Sequence, residues 1–167
     1  MATYSDYKIQ KYDDFFTRDE EWRQIAPYIP SKKIISMPFY STYSKCNELL
    51  GKYVKNKIIY QDEDFFDFDR GDIVIDNPPF SIKGKIIQEL HKRKKPFMLI
   101  VPISTLAYQY TKILKDDVQV LIFKKRPKYI KCDANNGKLK IDNKSPAFDS
   151  CVLCYKMQFN KDIIFLE

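Results

Sequence analysis

The alternation of apolar and polar positions divides the chain into short segments, many of them bounded by proline or glycine. Between residues 10 and 30, Phe15, Phe16, Trp22, Ile25 and Ile29 fit a lead-in segment followed by an amphipathic helix, which Pro27 and Pro30 close. Residues 33–39 read as a first strand and 42–51 as a helix stopped by Gly51. A second strand at about 57–61 runs into Asp62-Glu63-Asp64-Phe65-Phe66. The run at 72–76 predicts a third strand, followed by a Pro-Pro turn, a helix near 82–94 that breaks at Pro96, and a strand from Phe97 to Val101. Beyond Pro102 the pattern predicts a helix over 104–115 and a strand from Val118 to Phe123. The last strand, Asp149 to Tyr155, is expected to pair with the one before it, and Asn135-Asn136-Gly137 between them signals a hairpin or loop. Strand and helix alternate, so the expected fold class is α/β: a doubly wound, mostly parallel sheet ending in an antiparallel hairpin, with residues 1–167 forming one domain.

Charge changes this picture more than composition does. The 29 basic residues outnumber the 22 acidic ones for a net charge of +7, and aromatics make up 15% of the chain, a balance that suits a polyanionic partner and base stacking. An AT-rich coding sequence rich in Lys, Ile, Asn and Tyr accounts for the same balance. Lys124-Lys125-Arg126-Pro127-Lys128-Tyr129-Ile130-Lys131 reads either as a nucleic-acid contact, with lysines and Arg126 on phosphates and Tyr129 stacking, or as a solvated basic loop.

Cys46, Cys132, Cys151 and Cys154 lack zinc-site spacing, and reduced, buried thiols in an intracellular protein are expected. The first thirty residues have no apolar core of a secretory signal, and no apolar run reaches membrane-spanning length. No metal site, P-loop or Ser-His-Asp set is present in the sequence. The single histidine, His91, sits among Lys92, Arg93, Lys94 and Lys95 and reads as a surface residue.

Candidate chemistry concentrates at residues 73–80, Ile-Val-Ile-Asp-Asn-Pro-Pro-Phe. An unbroken β-branched run predicts a strand buried on both faces, whose carboxyl end is where an α/β sheet binds ligands. Pro78 and Pro79 stiffen the turn and bring no N–H of their own, leaving acceptors: the Asn77 side-chain oxygen and the Pro78 carbonyl. Two fixed acceptors beside the Phe80 ring suit a planar group bearing an NH2. With both N–H bonds held, the amine nitrogen can pyramidalise and aim its lone pair at an electrophile, while Phe80 stacks on the base.

Asn77-Pro78-Pro79-Phe80 resembles the catalytic motif of the S-adenosylmethionine-dependent amino-methyltransferases, the class that includes the N6-adenine DNA and RNA enzymes. The resemblance implies a Rossmann-like class I methyltransferase fold and S-adenosylmethionine as cofactor. Phe16-Thr17 resembles the segment that holds the methionine end of the cofactor, although Arg18 stands where the family has Pro; otherwise Thr17 is a helix N-cap. Pro38-Phe39 matches the start of the family's pattern after the first strand. Asp64-Phe65 resembles the acid and ring placed around the cofactor adenine, with Asp62 a candidate for the ribose. The chain departs from the family where Ser41 and Tyr43 occupy the usual glycine positions, and one strand-helix unit is compressed or missing.

Methylation of an exocyclic amine is therefore expected, adenine N6 in DNA first. The motif specifies an amine and not its owner, so RNA adenine, guanine N2 and a glutamine amide stay open. The absent glycines keep a second class in play: a methyltransferase-like protein without catalysis that binds nucleic acid or supports a partner. No target-recognition domain is expected within this length, so selectivity falls to surface loops, to a partner subunit or to a homodimer.

Overall fold

In the computed structural model, which describes residues 15–39, 44–60, 63–133, 138–141 and 148–167, the apolar segments become the strands of two sheets. In chain order these are β1 (Phe15–Thr17), β2 (Ile35–Ser36), β3 (Ile58–Ile59), β4 (Ile73–Asp76), β5 (Phe97–Pro102), β6 (Val118–Ile122), β7 (Tyr129–Asp133), β8 (Lys138–Ile141), β9 (Ser150–Tyr155) and β10 (Ile163–Phe165). The α-helices are α1 (Asp19–Ile25), α2 (Cys46–Gly51), α3 (Lys83–Lys92) and α4 (Gln109–Lys112).

The main sheet runs β10-β6-β9-β5-β4-β2-β3. Every pairing in it is parallel except those of β9, which lies antiparallel between β5 and β6. β4, β5 and β9 are buried at every position, so both faces of the sheet centre are covered. Side chains alternate across a strand, and the β4 run divides accordingly. Ile73 and Ile75 join Trp22 and Ile25 of α1 in one core, while Val74 joins Ile86, Ile87 and Leu90 of α3 in the other. Burying these apolar side chains supplies the main stabilisation, roughly 1.5 to 3 kcal/mol for each large aliphatic group.

From β2 the chain moves to β3 on one side and then returns to β4 on the other. Strand order thus reverses between β2 and β4, and their carboxyl ends flank the crevice where such sheets bind ligands. The second sheet, β1-β7-β8, is antiparallel and pairs Thr17 with Tyr129 and Phe15 with Lys131.

Several expectations need correction. Thr17 is not an N-cap: it ends β1, and Arg18 caps α1 without a side-chain bond, leaving Asp19, Glu20 and Glu21 to favour the positive end of the helix. The helix expected over 104–115 is broken into 3-10 turns at Ile103–Ala107 and Lys115–Asp117 with α4 between them. Tyr108 adopts extended geometry (φ −78°, ψ 151°), and the Thr111 hydroxyl donates to the Thr105 carbonyl at 2.7 Å in place of a regular helical turn. α2 begins only at Cys46, and Gly51 is its last residue, not a left-handed stop. β7 and β8 pair antiparallel, and Asn135, Asn136 and Gly137, expected to form a hairpin or loop, lie outside the described residues. No helix among the described residues is long and apolar enough to cross a membrane.

Candidate functional site

Where β4 ends, Asp76 is 2% exposed and both of its carboxylate oxygens are engaged by backbone amides. Oδ2 accepts from the Phe39 N–H at 2.8 Å and Oδ1 from the Asn77 N–H, also at 2.8 Å. The acid therefore ties the segment after β2 to the Pro-Pro turn, directly across the strand-order reversal. Burial pushes its pKa up to about 7, and the two amide bonds pull only part of the way back. Sequence reasoning passed over Asp76, although a carboxyl closing an otherwise apolar run was a visible signal.

Asn77 is next. Its Nδ2 donates to the Phe15 carbonyl at 2.9 Å, which fixes the amide orientation, since a flipped amide would set oxygen against oxygen. Oδ1 is buried without a partner. Such an orphan acceptor costs about 1 to 3 kcal/mol and calls for an explanation.

Asn77 lines a cleft whose other walls are Phe15 and Phe16 of β1, Phe39, Ser44, Cys46 at the start of α2, Asp76 and Pro78 to Phe80. Pro79 (φ −59°, ψ 123°) keeps the turn extended, and a 3-10 turn, Phe80–Ile82, leads into α3. Phe80 is 8% exposed and meets Phe148 edge-on at 5.3 Å; Phe148 meets Phe15 at 5.9 Å. The Phe80 ring is thus both a cleft wall and part of an aromatic cluster. The free volume, about 10 Å³, is close to what one water needs, so a larger ligand has to widen the cleft.

Thr17 is fully buried with its Oγ1 unpartnered. The Cys46 thiol is pushed up to about 12, first by burial and then by the nearby Asp76, so it stays protonated and is a poor nucleophile.

A second small cleft lies beside the first and contains Pro38, Asp64 and Phe65. Asp64 Oδ1 accepts from the Phe66 N–H at 2.9 Å, a local turn that sets the loop. Phe65 contacts Phe39 at 5.2 Å, joining the two clefts through a pair of rings. Arg93, read from sequence only as part of a basic helix end, organises this loop. Its guanidinium donates to the carbonyls of Phe65, Phe66 and Phe68 at 2.9, 3.1 and 2.7 Å and to Glu89 at 2.8 Å, and lies 4.8 Å from the Phe65 ring centre. Asp62, Ser41 and Tyr43 lie outside the described residues.

Phe16, Phe39 and Asn77 to Phe80 are thus brought together, with Pro38, Asp64 and Phe65 adjacent. The basic run leads into β7, whose Tyr129, Ile130 and Lys131 pair with Thr17, Phe16 and Phe15 of β1, so its end lies against the strand that walls the first cleft. Lys124, Lys125 and Lys128 are exposed, Arg126 pairs with Asp149 at 3.0 Å, and Lys131 lies half-buried in β7. The stacking role expected of Tyr129 is corrected: it is 2% exposed, its hydroxyl donates to Ser150 Oγ at 2.6 Å, and burial raises its pKa. Among the described residues no group of three or more His, Cys, Asp or Glu side chains is placed to hold a metal ion.

Comparison of the sequence with models of known families and with curated proteins finds no match.

Proposed function

We propose that this chain methylates an exocyclic amine, adenine N6 in DNA, using S-adenosylmethionine. The observation that carries the reading is the buried, unpartnered Asn77 Oδ1, held in place by the Phe15 carbonyl beside Pro78, Pro79 and Phe80. An amine N–H is the donor that such an acceptor lacks. The sheet supports the methyltransferase variant of the Rossmann-like fold, with a mostly parallel order into which the antiparallel β9 is inserted between β5 and β6, and with the site at the β2/β4 reversal.

Chemically, the residues present fit the cofactor. The Phe16 wall of the first cleft suits its methionine end and Pro38, Phe39, Asp64 and Phe65 its adenosine end, whereas Thr17 is fully buried and lines neither cleft. When bound, the cofactor supplies a sulfonium methyl as electrophile. Asn77 would accept one amine N–H and the Pro78 carbonyl the other, leaving the nitrogen lone pair free to take the methyl as its bond to sulfur breaks and the thioether leaves, after which the amine would release one of its protons to water. Phe80 stacks on the base, and Asp76 holds Asn77 in register with the segment after β2. The protein's contribution is orientation. The target base would leave its stack at a cost of a few kcal/mol, which favours single-stranded or mismatched DNA.

The narrowness of both clefts favours a second reading, a methyltransferase-like protein that binds nucleic acid without catalysis. A thermal-shift titration with S-adenosylmethionine, followed by radiolabelled methyl transfer to an adenine-containing oligonucleotide, separates the two. Stabilisation with methyl incorporation supports the enzyme; neither at saturating cofactor supports the binding protein.

A further inference from the structure

β4 and β5 are parallel neighbours, so their carboxyl ends emerge side by side at one edge of the sheet. β4 leads into the Asn77 turn, and β5 into the broken helical segment around Tyr108. The Tyr108 ring is 49% exposed and lies nearly parallel to that of Tyr110, at 5.3 Å and 18°. Tyr110 rests on Gly84 of α3, where a Cβ would stand 2.8 Å from its Cε1; any larger residue would push the ring away. Lys83, the preceding residue, connects this pair to the motif. Its ammonium donates to the Phe80 carbonyl at 3.1 Å and lies 5.6 Å from the Tyr108 ring centre. Neither α3 nor α4 has an acid in its first turn, and exposed Lys85 and Lys112 add positive charge.

We propose that Tyr108 and Tyr110 form a stacking platform for a base of single-stranded DNA, one that neighbours the base held at Asn77, with Lys83 attracting the intervening phosphate. This rests on the DNA reading of the cleft. A flat aromatic pair with cations around it accepts any base, since every base offers a π-face. Paired bases in a duplex do not expose theirs, which makes a single strand the fitting occupant.

The test is fluorescence anisotropy with a labelled single-stranded oligonucleotide holding one adenine among thymines, and with versions carrying an abasic site at each flanking position. Tyr108→Ala should weaken binding by about 5- to 150-fold, as for the loss of one base–aromatic stack, and Tyr108→Phe should bind as the parent does. The parent should lose affinity at one flanking abasic position, and Tyr108→Ala should no longer sense it. Equal binding by the parent and a folded Tyr108→Ala overturns the platform and leaves the cleft reading standing. A parent protein that binds no oligonucleotide overturns the DNA reading and the platform with it.

Discussion

The backbone N–H of Phe39 donates to Asp76 Oδ2 at 2.8 Å, joining the ends of β2 and β4 across the reversal of strand order. This bond makes the site sensitive to the protonation of one carboxyl. Burial raises the Asp76 pKa from 3.8 to about 7, so the folded state binds a proton that the unfolded state has released between those values. The contribution of this group to stability is therefore fully present below about pH 4, falls as pH rises to about 7, and is flat above. The total loss is on the order of 4 kcal/mol, from about 1.4 kcal/mol per pKa unit. Urea denaturation of the parent and of Asp76→Asn at several pH values between 4 and 8 should show this slope only in the parent. Parallel slopes would mean that Asp76 is not the titrating group.

Asn77→Ala should lower turnover by on the order of 10²-fold or more while leaving S-adenosylmethionine binding close to that of the parent. The removed oxygen acts on the amine in the transition state and does not line the second cleft. Single-turnover methyl transfer and calorimetry with cofactor alone would measure the two effects separately. Full activity in the variant would rule out the amine-holding role.

Arg93→Lys should destabilise the fold by about 2 to 4 kcal/mol and weaken cofactor binding, although the charge is kept. An ammonium cannot serve three carbonyls and Glu89 at once as the planar guanidinium does, and the half-buried carbonyls of Phe65 and Phe66 left without donors are costly. Thermal denaturation with and without cofactor checks both effects.

Tyr129→Phe should lower stability by about 1 kcal/mol through loss of the bond to Ser150 Oγ, with no change in oligonucleotide affinity. Replacing exposed Lys124, Lys125 and Lys128 by Gln should do the reverse if the run contacts phosphate, reducing the salt dependence of binding at constant stability. Anisotropy titrations across a salt series distinguish the two.

The sequence by itself determined the elements whose causes are local. A β-branched run makes β4, two prolines make its stiff exit, the amphipathic pattern makes α3, and β9 pairs antiparallel with β6 as expected, although it is not the final strand: β10 follows it and pairs parallel with β6. Asn77 was legible as an acceptor because its two following prolines bring no N–H groups. Tertiary structure decided what that acceptor faces. The Phe15 carbonyl that fixes the amide comes from 62 residues away, and the Phe39 amide on Asp76 from 37. Nothing in the local spacing of Phe15 reveals that β1 pairs with β7, and the same pairing buries Tyr129, which a run of lysines had made to look exposed. Arg93 was hidden for the same reason: a basic residue at a helix end reads as solvated until a loop 25 to 28 residues earlier folds its carbonyls onto it. Local preference reports how the backbone turns, whereas the partner of a buried polar group is set by which distant segments the two cores bring into contact.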